Sequence, residues 1–205
     1  MTTFLLMRHG ETDAVGKSIM GWRPGWHLNA NGRKQVERLA ARLAPLPIRA
    51  IYTSPLERAV ETAEAVARPH GIEPRPDPDL GEFHAGEWEG LAIDDLDRQE
   101  EWRRFNHFRG GTRAPGGELI IETQARMIRR VQALKQEHEG ETVGIVSHGD
   151  PLRATVAFYM GIPIDMLLRF EVSPASVSVV ELSEWTARVI CVNDCALPRL
   201  TEPRP

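Results

Sequence analysis

The stretch that decides the fold is Phe4-Leu5-Leu6-Met7-Arg8-His9-Gly10-Glu11, an apolar run followed at once by charged and small residues. The run predicts a short buried strand, Thr2–Met7, that ends just before an arginine and a histidine. A second His-Gly pair, His148-Gly149, follows another apolar strand candidate, Thr142–Ser147. Because open α/β sheets place their ligand crevice at the carboxyl ends of strands, we expect both histidines at one sheet edge. Two histidines and an arginine there indicate chemistry on an anion.

The remainder of the chain alternates predicted helices and strands. Ser54-Pro55-Leu56-Glu57 predicts a capping box, with Ser54 as the N-cap of a helix that runs to about Arg68. The other predicted elements are a helix from about Asn29 to Pro45, a strand Ile48–Thr53, an extended connection over 73–78, a polar helix from Ile93 to about Phe105, a long helix from about Glu118 to His138, a helix opened by Asp150-Pro151 and closed by Gly161, and two final strands, Ser176–Leu182 and Ala187–Val192.

This alternation predicts an α/β fold, a three-layer α/β/α sandwich with a mostly parallel central sheet. Residues 1–205 are predicted to form a single domain, because a chain of this length can bury a sizeable core. The tail Pro198–Pro205 is predicted to be frayed, as chain ends often are.

Composition narrows the class of partner. The 205 residues include 25 Lys and Arg against 29 Asp and Glu, for a net charge of -4, and the signs are interspersed. This balance favours neither nucleic acid nor a membrane surface as a partner. No apolar run approaches the roughly 18 residues of a membrane span, and the first residues lack the pattern of a signal peptide. The only cysteines, Cys191 and Cys195, fit two free thiols in a reducing compartment. We expect a cytoplasmic protein, and the sequence leaves a homodimer open.

The residues at the predicted sheet edge suit phosphoryl transfer. A neutral imidazole is a nucleophile when one ring nitrogen is free and the other donates a fixed hydrogen bond, which a loop carbonyl beside His9 could accept. Arg8 offers a planar fork that matches phosphate geometry, and Arg58 lies in the first turn of its helix, where the dipole favours anions. His148 would be the fourth donor. Taken singly, Arg58 could instead be a surface arginine and His148 a strand-end histidine bonded to backbone.

The motifs together resemble the histidine phosphatase superfamily, in its phosphoglycerate-mutase-like group. Five blocks occur in the order of that family: Arg8-His9-Gly10-Glu11-Thr12; Ser54-Pro55-Leu56-Glu57-Arg58-Ala59; Leu80-Gly81-Glu82 with Gly86-Glu87-Trp88-Glu89-Gly90; Pro115-Gly116-Gly117-Glu118; and Ser147-His148-Gly149. The resemblance covers the chain from Leu5 to about Leu182. It implies the family's α/β sandwich and a phosphomonoesterase that acts on a small phosphorylated metabolite. No G-x-x-x-x-G-K-[ST] or H-E-x-x-H motif occurs in the sequence, so metal-dependent hydrolysis is disfavoured and no cofactor is expected.

The resemblance also assigns roles to residues. It implies that His9 is the phospho-accepting nucleophile and that Glu82 is the general acid. The residues alone do not choose Glu82 among the acids of its segment, which are Asp77, Asp79, Glu82, Glu87 and Glu89. The catalytic set is then His9, Glu82, Arg8, Arg58 and His148, and the substrate-binding set is Arg8, Thr12, Arg58, His148, Gly149, Gly21 and Trp22. Trp22 could line the pocket mouth or simply pack under a long loop.

One departure and two alternatives accompany this prediction. Many relatives carry Trp-Asn where this chain has Ala14-Val15. One amide contact to phosphate is then absent, and we expect weaker phosphate affinity or a different orientation of the substrate. Mutases of the family carry a longer insertion before the Gly-Gly-Glu block, whereas the interval from Gly90 to Pro115 is short. The phosphatase is therefore favoured over mutase-type transfer. A catalytically silent anion-binding protein is the alternative of another class.

Overall fold

The computed structural model describes residues 1–195, so the predicted fraying of Pro198–Pro205 lies outside the described residues. Its strands are β1 (Thr2–Arg8), β2 (Ile48–Thr53), β3 (Arg75–Pro76), β4 (Thr142–Ser147), β5 (Val177–Leu182) and β6 (Ala187–Asp194). Its α-helices are α1 (Ala30–Leu43), α2 (Glu57–Ala67), α3 (Ile93–Leu96), α4 (Glu100–His107), α5 (Ile120–Glu137) and α6 (Gly149–Met160). Short 3-10 helices cover Arg68–His70, Pro78–Leu80, Gly86–Trp88 and Ile164–Arg169.

The strands form one six-stranded sheet in the order β3-β2-β4-β1-β5-β6. The pairs β3–β2, β2–β4 and β4–β1 are parallel, while β5 and β6 are antiparallel to their neighbours. The mostly parallel sheet is therefore confirmed, and the antiparallel part is the terminal hairpin. Register brings the two histidines together, because Arg8 pairs with Ser147 and the next backbone N–H, that of His9, donates to the Ser147 carbonyl at 3.0 Å.

Alternation along β1 divides the core into two faces, because successive side chains of a strand point to opposite sides of a sheet. Leu5 and Met7 pack on one face with the apolar stripes of α1 and α2. Phe4 and Leu6 pack on the other face with α5 and α6. Helices on both faces of the sheet give the predicted three-layer sandwich.

A third apolar cluster lies beyond the carboxyl edge of the sheet. Phe83, Trp88, Trp102 and Phe105 are its buried aromatic members, and α3 and α4 contribute to it. The single polar helix predicted from Ile93 to Phe105 is wrong, because the chain breaks between Leu96 and Glu100 into two helices. The break is stabilised by a hydrogen bond of 2.9 Å from the Trp102 indole to Asp97.

Two helix starts also differ from the prediction. The helix α2 begins at Glu57 with Leu56 as its N-cap, so the capping box on Ser54 is wrong. The helix α5 begins at Ile120 rather than Glu118, and the Glu122 carboxylate accepts the Leu119 backbone N–H at 2.8 Å. No helix in the described part of the chain combines the length and the apolarity that a bilayer span requires.

Candidate active site

The imidazole of His9 lies at the carboxyl end of β1 and is 1% exposed. Its Nδ1 is 2.7 Å from the Gly10 carbonyl oxygen, which can only accept, so Nδ1 carries the ring proton. The buried Nε2 has no hydrogen-bond partner among residues 1–195. Burial, and after it the charges of Arg58 and Arg8, hold the pKa of His9 well below its usual value. The ring is therefore neutral, with a free lone pair on Nε2.

Two arginines, the buried Arg58 and the half-buried Arg8, carry buried N–H groups that no residue of the described chain satisfies. The Arg58 side chain is wholly buried; its Nη2 donates to the Gly21 carbonyl at 3.0 Å, while Nε and Nη1 are unpaired. Arg8 donates from Nη1 to the Val172 carbonyl at 2.7 Å, and its Nε is unpaired. Burial lowers the pKa of both arginines. Because a buried donor without a partner is costly, these groups indicate a site for an anion.

His148 faces His9 across the site, with the ring centroids 5.0 Å apart. Its Nε2 lies 2.7 Å from the Ser54 hydroxyl, which accepts the Leu56 backbone N–H at 3.3 Å. The Ser54 proton is thus available to His148 Nε2, which leaves the ring proton on Nδ1. Nδ1 lies 3.9 Å from Oε2 of Glu82 and has no hydrogen-bond partner within the described residues. Burial, followed by the Arg58 charge, lowers the pKa of His148 well below its usual value.

Glu82 is the acid of its segment that lines the cavity beside Arg8; the other four predicted candidates do not line it within residues 1–195. Burial and then the charge of Asp150 raise the pKa of Glu82 to about 7, so the carboxyl is protonated in weak acid and exchanges its proton near neutral pH. The Glu82 backbone carbonyl accepts from the Trp22 indole at 2.6 Å and from Arg126 Nη2 at 2.8 Å. These bonds fix the loop that carries the acid.

A cavity of about 450 Å³ is lined by Arg8 and Glu82. His9, Arg58 and His148 do not line it; they adjoin it through Gly149, which follows His148, and through Gly21, whose carbonyl accepts from Arg58. Gly21 and Gly149 from the predicted binding set line it, and so does Val15. Gly21 has φ +54°, and a Cβ there would lie 2.3 Å from the Glu89 side chain, so the position requires glycine.

Of the predicted binding residues, Thr12, Trp22, Arg58 and His148 do not line the cavity. Arg58 and His148 adjoin it, whereas Thr12 and Trp22 have other contacts. Thr12 is buried with its hydroxyl 3.3 Å from Met20 Sδ and does not line the cavity. Trp22 also does not line it; its ring stacks on His84 at 4.5 Å and contacts the acid loop. Trp22 thus takes the packing role, and a substituent at Gly81 would collide with its ring.

Sequence reasoning missed a charged wall of the same cavity, made by Arg109, Asp150, Arg153 and Glu171. Arg109 and Asp150 are 41 positions apart yet pair at 2.8 Å. Asp150 carried a usable signal, because it follows His148-Gly149 at the start of a helix. Arg109 and Arg153 carried none, since isolated arginines are usually solvated. Within residues 1–195, no group of three or more His, Cys, Asp or Glu side chains could hold a metal ion.

This arrangement brings together a neutral imidazole with a free ring nitrogen, unpaired cationic donors and a carboxyl with a raised pKa. A phosphoryl group in transfer spreads negative charge over its oxygens, so positioning and cationic donors are the main catalytic requirements. A leaving alkoxide also needs a proton, which a carboxyl with a raised pKa can deliver. The geometry can therefore support phosphoryl transfer to a histidine.

Comparisons with known proteins agree with this chemistry. The family model described as "Histidine phosphatase superfamily (branch 1)" matches residues 4–195. "Probable phosphoglycerate mutase GpmB" of Escherichia fergusonii is 33% identical over 192 residues, covering 91% of this chain and 89% of that protein. "Phosphoserine phosphatase 1" of Hydrogenobacter thermophilus is 28% identical over 197 residues, covering 94% and 92% respectively. The solved structure of Bacillus stearothermophilus YhfR superposes with a TM-score of 0.87 at 36% identity, over 95% of this chain and 98% of that chain. The chain therefore belongs to the histidine phosphatase superfamily.

Proposed function

We propose that this chain is a phosphomonoesterase that hydrolyses a small phosphorylated metabolite through a phosphohistidine on His9. The observation that carries the proposal is the state of the His9 ring. Its Nδ1 is fixed on the Gly10 carbonyl, and its Nε2 is buried without a hydrogen-bond partner in the described chain. An unpaired nitrogen beside unpaired Arg58 donors is costly unless an anion occupies the site. A phosphoryl group satisfies both requirements, because it accepts from the donors and is attacked by the nitrogen.

The first half-reaction forms a phosphorus–nitrogen bond at His9 Nε2 and breaks the ester phosphorus–oxygen bond. The leaving oxygen takes the proton of the Glu82 carboxyl and departs as the alcohol. Arg8, Arg58 and His148 donate hydrogen bonds to the phosphoryl oxygens as charge develops there. In the second half-reaction, water gives a proton to the Glu82 carboxylate and attacks phosphorus. The phosphorus–nitrogen bond breaks, which returns neutral His9 and releases inorganic phosphate.

The test is a rapid-quench experiment with a ³²P-labelled phosphomonoester. We expect protein-bound label that is labile in acid and stable in base, together with release of free phosphate. His9→Ala should lose both the label and the turnover. His107→Ala is the matched control, because His107 is an exposed histidine of α4 whose Nδ1 contacts the Arg103 carbonyl. It should keep both.

Other outcomes identify the alternatives. Label on the protein with phosphoryl transfer to a second hydroxyl, and no free phosphate, would favour a mutase. Phosphate binding without label or turnover across a broad panel of esters would favour a silent anion-binding protein. Label that persists in His9→Ala would overturn the role of this histidine.

A further inference from the structure

The outer wall of the active-site cavity is largely apolar. Its apolar side chains are those of Val15, Ile19, Ile93, Trp102, Phe105 and Leu168. The rings of Trp102 and Phe105 stack with centroids 5.9 Å apart, so part of the wall is a rigid aromatic surface. Cavities of several hundred Å³ with apolar walls and a few fixed polar groups are typical sites for organic ligands. Arg8 is the proposed phosphate-binding side chain that lines this cavity, so the apolar part of the wall is available to the leaving group.

The charged part of the wall is paired within the protein. Arg109 donates from Nη1 to Asp150 Oδ2 at 2.8 Å and from Nη2 to Asn106 Oδ1 at 2.7 Å. Arg153 donates from Nη2 to Glu171 Oε1 at 2.9 Å, and its Nη1 lies 3.6 Å from Asp150 Oδ1. The charges of Arg109 and Arg153 are therefore balanced by those of Asp150 and Glu171. The Nε atoms of both arginines lack partners within residues 1–195, and each could donate to a neutral oxygen of a ligand.

This pairing has a consequence for the charge of the substrate. Burial would raise the pKa of Asp150, but the charges of Arg109 and Arg153 hold it below its usual value, so Asp150 stays ionised. A carboxylate on the leaving group would add a third anion beside Asp150 and Glu171. Such an anion lacks a cation of its own on this wall, and it is repelled by the like charges of Asp150 and Glu171. Beyond Arg8, which belongs to the phosphate end, the described residues of the wall offer no unpaired guanidinium charge.

Given the phosphatase function proposed above, we propose that the preferred substrates are phosphomonoesters whose leaving alcohol is uncharged and carries an apolar or aromatic group. Esters whose alcohol carries a carboxylate, such as phosphoserine and 3-phosphoglycerate, are then poor substrates. The apolar wall supplies the binding free energy by removing apolar surface from water. The paired charges supply the discrimination against a carboxylate.

The test compares esters whose leaving groups are all alkyl alcohols. Phosphate release from 2-phenylethyl phosphate, phosphoserine and 3-phosphoglycerate is measured on the wild-type protein. We expect kcat/KM for the phenylethyl ester to exceed the other two by about tenfold or more, a ratio that a hydrophobic pocket can supply. Equal or higher kcat/KM for either carboxylated ester would overturn the inference.

A pair of variants on one 3-10 helix isolates the wall. Leu168 and Met166 are 48% and 37% exposed on the segment Ile164–Arg169, but Leu168 lines the cavity and Met166 does not. Leu168→Arg adds an unpaired cation at the wall and should shift the ratio toward the carboxylated esters by about tenfold. Met166→Arg adds the same charge outside the cavity and should leave the ratio unchanged. The inference fails if both variants shift the ratio equally or if neither does.

A binding measurement separates this inference from the proposed function. The inhibition or binding constants of 4-phenylbutylphosphonate and 4-phosphonobutyrate, which are not hydrolysed, are compared on the wild-type protein by calorimetry. If no ester is turned over, the phosphatase proposal fails, but tighter binding of the phenyl compound still supports the apolar preference. If esters are turned over and the carboxylated phosphonate binds as tightly, the preference alone fails.

Discussion

Replacing Glu82 with glutamine tests the acid role most directly, because the carboxamide keeps the size of the side chain and cannot deliver a proton. Burial and the Asp150 charge raise the pKa of Glu82 from 4.5 to about 7. The wild-type rate for an alkyl ester should therefore be level in weak acid and fall above pH 7, by about tenfold per pH unit. The acidic limb should lie well below the ordinary range of histidine, because the pKa of His9 is lowered.

The size of the effect follows from the leaving group. A poor leaving group such as a primary alcohol needs the proton, so Glu82→Gln should reduce kcat for its phosphate ester at pH 6 by about 10² to 10⁴-fold, the usual contribution of a positioned acid. 4-Nitrophenolate leaves without being protonated, so kcat for 4-nitrophenyl phosphate should change little. The fall in rate above pH 7 should also disappear in the variant, since the group that titrates there is gone.

The assay is phosphate release from both esters between pH 4 and pH 9, for wild type and variant, with protein-bound label as a measure of the first step. Equal losses on the two esters would refute the acid role. Persistence of the limb near pH 7 in Glu82→Gln would assign that limb to another group.

The same pKa shift makes a prediction about stability. The folded pKa of Glu82, about 7, lies above its unfolded value of 4.5, so the folded state binds this proton more tightly. The contribution of this proton to stability is complete when the pH is below 4.5, the pKa of Glu82 in the unfolded state, and is lost as the pH rises to about 7. Above pH 7, Glu82→Gln should therefore raise the free energy of unfolding relative to wild type. Urea unfolding at pH 5 and pH 8 checks this, and a variant that is equally or less stable at pH 8 would contradict it.

Three further substitutions test the support of the site. Arg58→Ala removes buried donors and should cost about 3 kcal/mol in kcat/KM, with part recovered by lysine; a loss under tenfold would exclude a direct role. Ser54→Ala removes the hydroxyl partner of His148 Nε2 and should change the tautomer of the ring, which ¹⁵N chemical shifts report. Ser54→Thr keeps the hydroxyl and should keep the tautomer. An unchanged tautomer in the alanine variant would contradict this. Arg126→Met removes a hydrogen bond to the Glu82 carbonyl and should lower the free energy of unfolding, measured in urea, by about 1–3 kcal/mol. It should also reduce kcat for alkyl phosphate esters more than kcat for 4-nitrophenyl phosphate. An equal reduction for both esters would show that Glu82 keeps its position.

The sheet was predictable because its strands are apolar runs bounded by clear stops. β2 begins and ends at the predicted residues, and β1 ends at Arg8, one residue after the predicted end at Met7. The segment from Ile93 to Phe105 was less predictable, because its helical pattern is continuous in the sequence. A tertiary contact, the indole of Trp102 on Asp97, accompanies the break, and periodicity carries no information about such contacts.

The candidate site shows the same limit. His9 and His148 were placeable because each directly follows a strand. Ser54 resembled an N-cap, yet its hydroxyl contacts a histidine 94 positions away. The sequence Ser54-Pro55-Leu56-Glu57 is compatible with Ser54 as an N-cap and with Ser54 as a partner of His148. The register of β4 beside β2 decides between the two. The pairing of Arg109 with Asp150 is likewise a product of distant segments, so its residues looked like ordinary surface charges.

The loop that carries Glu82 is tied down by Trp22 on one side and Arg126 on the other. In the proposed mechanism these hydrogen bonds hold the proton donor in position before the ester binds. The outer wall comes from separate pieces of chain, notably α4 and the segment Ile164–Arg169. Replacing these segments should therefore change which phosphate esters are preferred and leave the catalytic residues in place. The wall is accordingly the part of the site to redesign first.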